Sequence, residues 1–445
     1  VTHRLASQAA RTALAAALLT LAASSALRAQ DTTPPRGVRI GLTYDAGAKP
    51  AVAVGTVRGP WGDTVRAILM RDLDNGDRVE VVGAPGTTAA AAITQVGTGV
   101  NYVVWKAMGV AAALQMSLLP GALHVAAHDV ANRTVLQARD FPVAGAPGSA
   151  EWRLGLHAAA DEVERWLTGT RGIAATRILF VRGGRVYVLD SDGWGERALT
   201  ESGISLSPAW HPSGRIIAYS TVNERGWRIM LRETRGGPAH ALGTTPQGLN
   251  MTPAFAADGE LAYAHGDEDG TDLYVVPLSG TTASGPARRI TVGRGTDNVS
   301  PTFSPEGRRI AFTSGRIGHP EVYVADADGA NAELLTPFAF GEEAYRSNPD
   351  WSPDGRQVAY QKQMSGVFQV MVIGLRDRAV RQLTSEGRNE DPSWAPDGRH
   401  LVFGSNRTGV RELFVLDVES GRARQLTHGA GARLPAWSPA LAPAP

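Results

Sequence analysis

The residues best spaced for chemistry are His124 and His128, four positions apart. On a helix, that interval lets two imidazoles share a zinc ion, with a glutamate after the first serving as general base. Val125 stands where that glutamate is needed. The stretch Ala122-Leu-His-Val-Ala-Ala-His-Asp-Val130 also alternates as a strand does, so two solvent-facing histidines and no metal are expected. A second group, Asp267, Glu268, Asp269 and Asp272 around Gly266 and Gly270, has the composition of a calcium loop. It lacks the alternating ligands and terminal glutamate of such a loop and reads as a hairpin turn. No Gly-x-Ser-x-Gly elbow and no Gly-x-x-x-x-Gly-Lys loop occurs. The absence of cysteine removes thiolate nucleophiles, disulfides and cysteine-based zinc sites. No catalytic residue and no cofactor is therefore assigned, and a binding role is expected.

The bulk numbers agree with that expectation. The chain has 445 residues, 43% hydrophobic and 20% charged, enough for two or three domains. A net charge of +1 gives no global attraction for nucleic acid or anionic membrane. Residues 1–29 read as a secretory signal: Arg4 and Arg11, an apolar run from Ala13 to Ala23, then small residues up to Ala29. Cleavage after Ala29 removes Arg4, Arg11 and Arg28 and leaves a net charge of −2. The expected location is a periplasm or the exterior, without membrane insertion after cleavage, and the expected state is a monomer.

The remainder is dominated by one phrase written six times. Pro208-Ala-Trp210, Pro253-Ala-Phe255, Pro301-Thr-Phe303, Pro349-Asp-Trp351, Pro392-Ser-Trp394 and Pro435-Ala-Trp437 lie 43 to 48 residues apart. Several copies continue into Ser-Pro-Asp-Gly or a close variant, then a β-branched run. A strand-rich period in the forties signals a β-propeller. Each proline lacks a backbone donor and belongs where none is needed, and each aromatic has the size to fill the wedge between sheets. The unit at 177–206 has no such head, and the head at Pro435-Ala-Trp-Ser-Pro439 has no body. Together they make a sixth blade, so the C-terminal strand is expected to close the ring.

The fold class expected is an α+β N-terminal domain followed by an all-β six-bladed propeller of WD40-like repeats closed by a C-terminal strand. Residues 30–37 form a flexible lead and 38–148 the α+β domain. In that domain strands are expected at Ala51–Val57, Arg78–Val82 and Tyr102–Trp105, and near 110–119, 122–130 and 134–141. Helices are expected after a cap at Asp63 and near 88–97. The linking helix occupies 149–172, where Trp152, Leu156, Ala159, Val163 and Trp166 share a face between Ser149 and Gly169. The propeller covers 173–439 and a loose tail 440–445. Loops ahead of each proline, such as Arg388-Asn-Glu-Asp391, occupy one structural slot and so share one face of the ring.

The junction carries a resemblance. His157-Ala-Ala-Ala-Asp161-Glu-Val-Glu-Arg-Trp-Leu-Thr168-Gly-Thr-Arg-Gly172, then Thr176-Arg-Ile-Leu-Phe180, is similar to the TolB family of the periplasmic Tol-Pal system. The ending Pro435-Ala-Trp-Ser-Pro439 is similar too. The resemblance implies a non-catalytic adaptor between a Pal-like outer-membrane lipoprotein and a TolA-like inner-membrane protein, serving outer-membrane integrity and constriction in cell division. It implies Pal contacts on the propeller rim at Leu249, Asn250, Thr252, Asp297, Asn298, Val299, Arg346, Asn348, Asn389 and Glu390. Leu249 stands where the family can carry a histidine. It implies TolA contacts in the leading segment at Val38, Arg39, Ile40, Asp45 and Lys49, a segment that departs from the family pattern in its length and its extra polar lead.

Overall fold

In the computed structural model, the structure describes residues 49–82, 101–201, 203–224, 226–243, 248–293, 295–338 and 345–443, together with one short strand pair. That pair, β1 (Arg36–Arg39) and β2 (Leu42–Asp45), is an antiparallel hairpin within the unit Val1–Ala48. The second unit, Lys49–Pro445, holds everything else. The signal segment and the helix expected near 88–97 fall outside the described residues.

Five strands make the sheet of the smaller layer: β3 (Ala51–Arg58), β4 (Glu80–Val82), β5 (Ala112–Leu119), β6 (Ala122–Asp129) and β7 (Thr134–Pro142), ordered β4-β3-β5-β6-β7. β3 runs parallel to β4 and β5, while β5, β6 and β7 form the expected antiparallel meander. Helix α1 (Gly62–Asn75) buries Val65, Ile68, Leu69 and Leu73. Asp63 does not cap it: Trp61 holds the N-cap position in a left-handed conformation with no side-chain cap, and Asp63 lies inside the first turn. A Cβ on Gly62 would sit 2.0 Å from the Val57 carbonyl oxygen, so only glycine lets the chain turn back from β3 at this point.

Tyr102–Trp105 is a helix rather than a strand. Helix α2 (Tyr102–Ala107) begins at Asn101, whose side chain accepts a hydrogen bond from Val104 N at 3.2 Å. The cap and the packing of Trp105 against Ala53, Val110, Ala113 and Val130 override the β preference of Tyr-Val-Val. Likewise β4 starts at Glu80 rather than Arg78, because Asp77 takes a positive φ of 57° and Arg78 is directed elsewhere.

Helix α3 (Ala150–Thr168) follows the sequence pattern. Ser149 accepts Trp152 N at 3.2 Å, and Gly169 ends the helix at a φ of 82°. Trp166 packs on Phe141 of β7 with ring centroids 5.6 Å apart.

The propeller has six four-stranded sheets. Blade one pairs the C-terminal strand Arg433–Trp437 with Arg177–Arg182, so the two fragments of the sequence do complete each other. The first strands of blades two to six are Ile204–Trp210, Leu249–Phe255, Asn298–Phe303, Arg346–Trp351 and Asn389–Trp394. Each repeated aromatic fills the wedge toward the preceding blade: Trp351, for example, packs on Val322, Val324 and Leu335 of blade four.

The prolines sit where the ladder is broken. Every first strand skips register across its proline and the residue before it. The missing donor therefore costs no hydrogen bond. The residues ahead of the prolines, Ser207, Thr252, Ser300, Asn348, Asp391 and Leu434, all have φ between 47° and 56°. Left-handed backbone is unfavourable for residues with a Cβ, and more so for a β-branched one. Hydrogen bonds running from blade to blade hold the strained segment. Ser300 N donates to Thr252 Oγ1 at 3.2 Å, Ser300 Oγ meets Asn348 Oδ1 at 3.0 Å, and Asn348 Nδ2 donates to Asp391 Oδ1 at 2.6 Å. These residues line a central channel of about 390 Å³.

Trp437 is buried among residues of blades one and six, and its indole N–H donates to Thr176 Oγ1 at 2.8 Å. Replacing it (Trp437→Ala) removes both the wedge and the closure bond. The expected loss is about 3–5 kcal/mol, read as a lowered unfolding free energy in denaturant titration. A loss under about 1 kcal/mol would show that closure does not hold the ring.

Candidate functional site

The two faces of the ring differ. One carries the turns between first and second strands and between third and fourth strands. The other carries the second-to-third turns and the loops that lead from one blade to the next.

The α/β layer contacts the first of these faces through an ionic seam, buried at Asp72, Asp77, Arg153, His157, Asp161 and Glu164 and open to solvent at Arg71, Asp74 and Arg422. From α1 and the turn after it come Arg71, Asp72, Asp74, Asp77 and Arg78; from α3 come Arg153, His157, Asp161 and Glu164. Arg71 and Arg153 both bond Asp192 of blade one. Arg78 bridges Glu164 at 3.2 Å and Asp397 of blade six at 3.0 Å. Arg422 of blade six donates to Asp74 at 2.7 Å and Asp77 at 2.9 Å. His157 Nδ1 lies 2.7 Å from Asp72, and its Nε2 lies 4.0 Å from both Asp190 and Asp192. His400 is held between Asp397 at 2.8 Å and Asp77 at 3.6 Å.

The junction residues read from the sequence have physical roles in this seam. Asp161 accepts the backbone N–H groups of Ala174 at 2.6 Å and Ala175 at 3.0 Å. Gly172 packs so closely that a Cβ would lie 2.7 Å from oxygens of both Asp161 and Glu164. Thr168 Oγ1 donates to the Glu164 carbonyl at 2.8 Å.

Two groups in the seam, Asp72–His157–Asp192 and Asp77–His400–Asp417, contain metal-ligand types within reach of one another. Guanidinium groups already supply the positive charge: Arg71 and Arg153 in the first group, Arg399 and Arg422 in the second. The arrangement is an electrostatic clamp. Burial opposes protonation of His157, but Asp72, Asp192 and Asp190 outweigh it and raise its pKa. His400 is raised for the same reason, burial being outweighed by Asp397 and Asp77. Burial pushes Glu164 up to about 8 despite Arg78, and Asp161 up to about 7 despite its two N–H partners. Asp397 is held below the usual carboxylate range because His400 and Arg78 overcome its burial.

The opposite face carries no seam contact described above. On it, a recess of about 520 Å³ is bounded by Leu249, Asp267, Glu268, Thr271 and Asp297. A second, also about 520 Å³, is bounded by Met364, Val367, Gln369, Arg388 and Asn406. Exposed Tyr345 meets Phe368 edge-on at 5.6 Å, and the Arg388 guanidinium lies 5.6 Å from the same ring. Met364 and Val367 are exposed beside them.

Residues 164–441 match the family described as the TolB beta propeller domain. The chain belongs to the TolB family. It is 34% identical over 183 residues to a protein named TolB homolog from Chlorobium luteolum (strain DSM 273 / BCRC 81028 / 2530), covering 40% of each chain. It is 29% identical over 225 residues to a protein named Tol-Pal system protein TolB from Francisella tularensis subsp. mediasiatica (strain FSC147), covering 47% of this chain and 49% of that one. These matches thus span less than half the length of either curated relative. The crystal structure of TolB from Acinetobacter baumannii shares the fold with a TM-score of 0.73 and 23% identity, over 88% of this chain and 97% of that one.

Within this TolB-family propeller, the residues expected at the rim divide into two sets. Asn250, Asn298, Arg346 and Asn389 occupy one repeated position and are buried. Each ties its blade to the preceding one: Asn250 to the Trp227 carbonyl, Asn298 to Asp272, Arg346 to Glu321, and Asn389 to Gln369. Thr252 and Asn348 lie in the strained belt of the channel. Leu249, Asp297, Val299 and Glu390 remain partly or fully open, with Asp297 accepting from Thr271 Oγ1 at 2.8 Å and Glu390 paired with Arg411. Val38, Arg39 and Asp45 fall on the short hairpin, Ile40 lies outside the described residues, and Lys49 lies 3.5 Å from Asp77.

Two other expectations change. His128 is buried rather than solvent-facing, because α2 covers that end of β6 and Tyr102 Oη meets His128 Nδ1 at 3.0 Å. Asp272 is not a turn residue but a buried acceptor, taking Thr291 Oγ1 of its own blade at 2.7 Å and Asn298 Nδ2 of the next blade at 3.0 Å. Met364, Val367 and Phe368 join the exposed surface without having been expected there. Their signal was an apolar Met364-Ser-Gly-Val-Phe368 hairpin where a polar one is usual.

The seam makes stability depend on pH. His157 and His400 have folded pKa values above their ordinary 6.5. Their contribution is complete below 6.5 and fades as pH rises through the raised values. Asp397 has a folded value below its ordinary 3.8, so its contribution is present above 3.8 and fades as pH falls toward the lowered value. Calorimetry across pH 5 to 9 should show a melting temperature that falls on the alkaline side, with a shallower fall in Asp72→Asn. A flat profile in the parent chain contradicts the clamp.

Proposed function

We propose that this chain is a non-catalytic periplasmic adaptor of the Tol-Pal system. Its propeller binds a Pal-like lipoprotein through the face away from the seam, and its leading segment, residues 38–50, engages a TolA-like protein. The adaptor would serve outer-membrane integrity and constriction during division. The supporting observation is the division of labour between the two faces. On one face the α/β layer sits against blades one and six, while the other presents Tyr345, Phe368 and Arg388 in mutual contact beside exposed Met364 and Val367. Aromatic and arginine side chains flanked by apolar ones are the usual anchors of a protein interface. Leu249, Asp297, Val299 and Glu390 extend this surface round the rim. Asn250, Asn298, Arg346 and Asn389 act beneath it, setting blade positions, and Thr252 and Asn348 contribute from the channel.

Calorimetric titration of residues 30–445 with the folded periplasmic domain of the Pal-like lipoprotein from the same genome tests the reading. Saturable binding is expected, weakened at least about tenfold by Tyr345→Ala or Met364→Asp. Absence of binding by the parent chain would refute it. Deleting residues 30–47 should alter binding of the TolA-like domain while leaving the melting temperature within about 2 °C. Unaltered TolA binding counts against a role for the leading segment.

A further inference from the structure

A cavity of about 660 Å³ opens between the first turn of α3, blades one and two, and the C-terminal residues 440–443. Five arginines line it: Arg177, Arg197, Arg215, Arg232 and Arg235. Arginines in the seam are matched by carboxylates, but here most are not. Arg177 is committed to Asp190 at 2.9 Å. Among the described residues, Arg197, Arg215, Arg232 and Arg235 have no carboxylate within salt-bridge distance. Arg197 reaches only the Thr234 carbonyl, at 3.4 Å, and Arg232 only the Leu199 carbonyl. Arg232 Nε is buried with no hydrogen-bond partner among the described residues. Glu151 and Glu233 stand in the wall, but neither pairs with these four.

Arg197, Arg215 and Arg235 are exposed and Arg232 half-buried; crowding like charges round one cavity raises its free energy unless a counter-charge enters, most where Arg232 is least hydrated. The pKa of Arg197 is lowered, by burial first and then by Arg177 and Arg232, in keeping with that excess. Apolar groups of Leu154, Leu199 and Leu441 complete the walls. The volume lies within the range of small-molecule sites, roughly 300–1,000 Å³. Planar guanidinium forks bind phosphate and carboxylate in preference to other groups. Residues 440–443 help to shape the cavity rather than hanging loose, since Leu441 N donates to the Ala175 carbonyl at 2.8 Å.

We propose that this cavity is a binding site for a compact oligoanion, a small molecule bearing two or more phosphate or carboxylate groups. Arg197, Arg215, Arg232 and Arg235 supply the donors, and the site is separate from the Pal-facing surface.

The probes are inorganic tripolyphosphate and citrate, titrated calorimetrically into residues 30–445 at physiological ionic strength. Saturable binding of one ligand per chain is expected, together with a raised melting temperature. Binding of tripolyphosphate alone assigns the site to phosphates, of citrate alone to carboxylates, and of both to oligoanions generally. Arg197→Glu and Arg215→Glu should each weaken binding at least about tenfold, the scale of a lost charge-assisted hydrogen bond. Arg235→Glu, at an exposed residue without a partner, should weaken it too and guards against a folding defect. Arg356→Glu, on exposed blade-five surface, should leave it unchanged. Failure of both anions to saturate, or undiminished binding by all three cavity variants, overturns the proposal.

Discussion

Pairing of the last strand with the first blade is the constraint on which the rest depends. Arg177 N donates to Ser438 Oγ at 2.8 Å, a contact spanning 261 positions of sequence. Without it, the strand Arg177–Arg182 has an open edge, and Trp437 no longer fills the wedge between blades six and one. Closure fixes the angle between neighbouring sheets everywhere, because each aromatic wedge is set against the blade before it. It also brings blades one and six together beneath the α/β layer, which clamps onto both. The buried charges of the seam are thus positioned by a strand pairing made elsewhere.

Burying so many charges is expensive unless each finds a partner. The seam meets that requirement by sharing. Arg78 serves two carboxylates, Arg422 serves two, and Asp192 serves two guanidinium groups. Such sharing demands accurate geometry, which accounts for the tight fit of Gly172 and Gly76 against Glu164 and its neighbours. Hydrophobic burial holds each layer together internally; shared charge holds the two layers in one orientation. This mount leaves the far side of the ring clear of the seam.

Much of this was legible in the sequence, for identifiable reasons. The repeat, the broken blade and the linking helix announce themselves through proline, aromatic and apolar spacing, all of which report backbone and packing. What escaped depended on tertiary context. Tyr102–Trp105 has strand-forming residues, yet Asn101 and the packing of Trp105 make it a helix. Asp63 is a good capping residue placed two positions past the N-cap Trp61. Asn250, Asn298, Arg346 and Asn389 look like surface groups because polar residues on a loop usually are. Only the ring shows that their position faces the preceding blade. The Tyr345–Phe368–Arg388 contact joins two loops through the Met364–Phe368 hairpin, and only that hairpin's apolar character is visible locally.

The strained positions ahead of the six prolines carry a consequence for the lumen they line. Their left-handed backbone is the same in all six copies, while the side chains are serine, threonine, serine, asparagine, aspartate and leucine. Leu434 shows that the main chain and its proline can take this curve without a polar side chain, while Thr252, Ser300, Asn348 and Asp391 add bonds that brace it. The lumen thus carries polar groups at five of these positions and an apolar one at the sixth on one shared backbone shape.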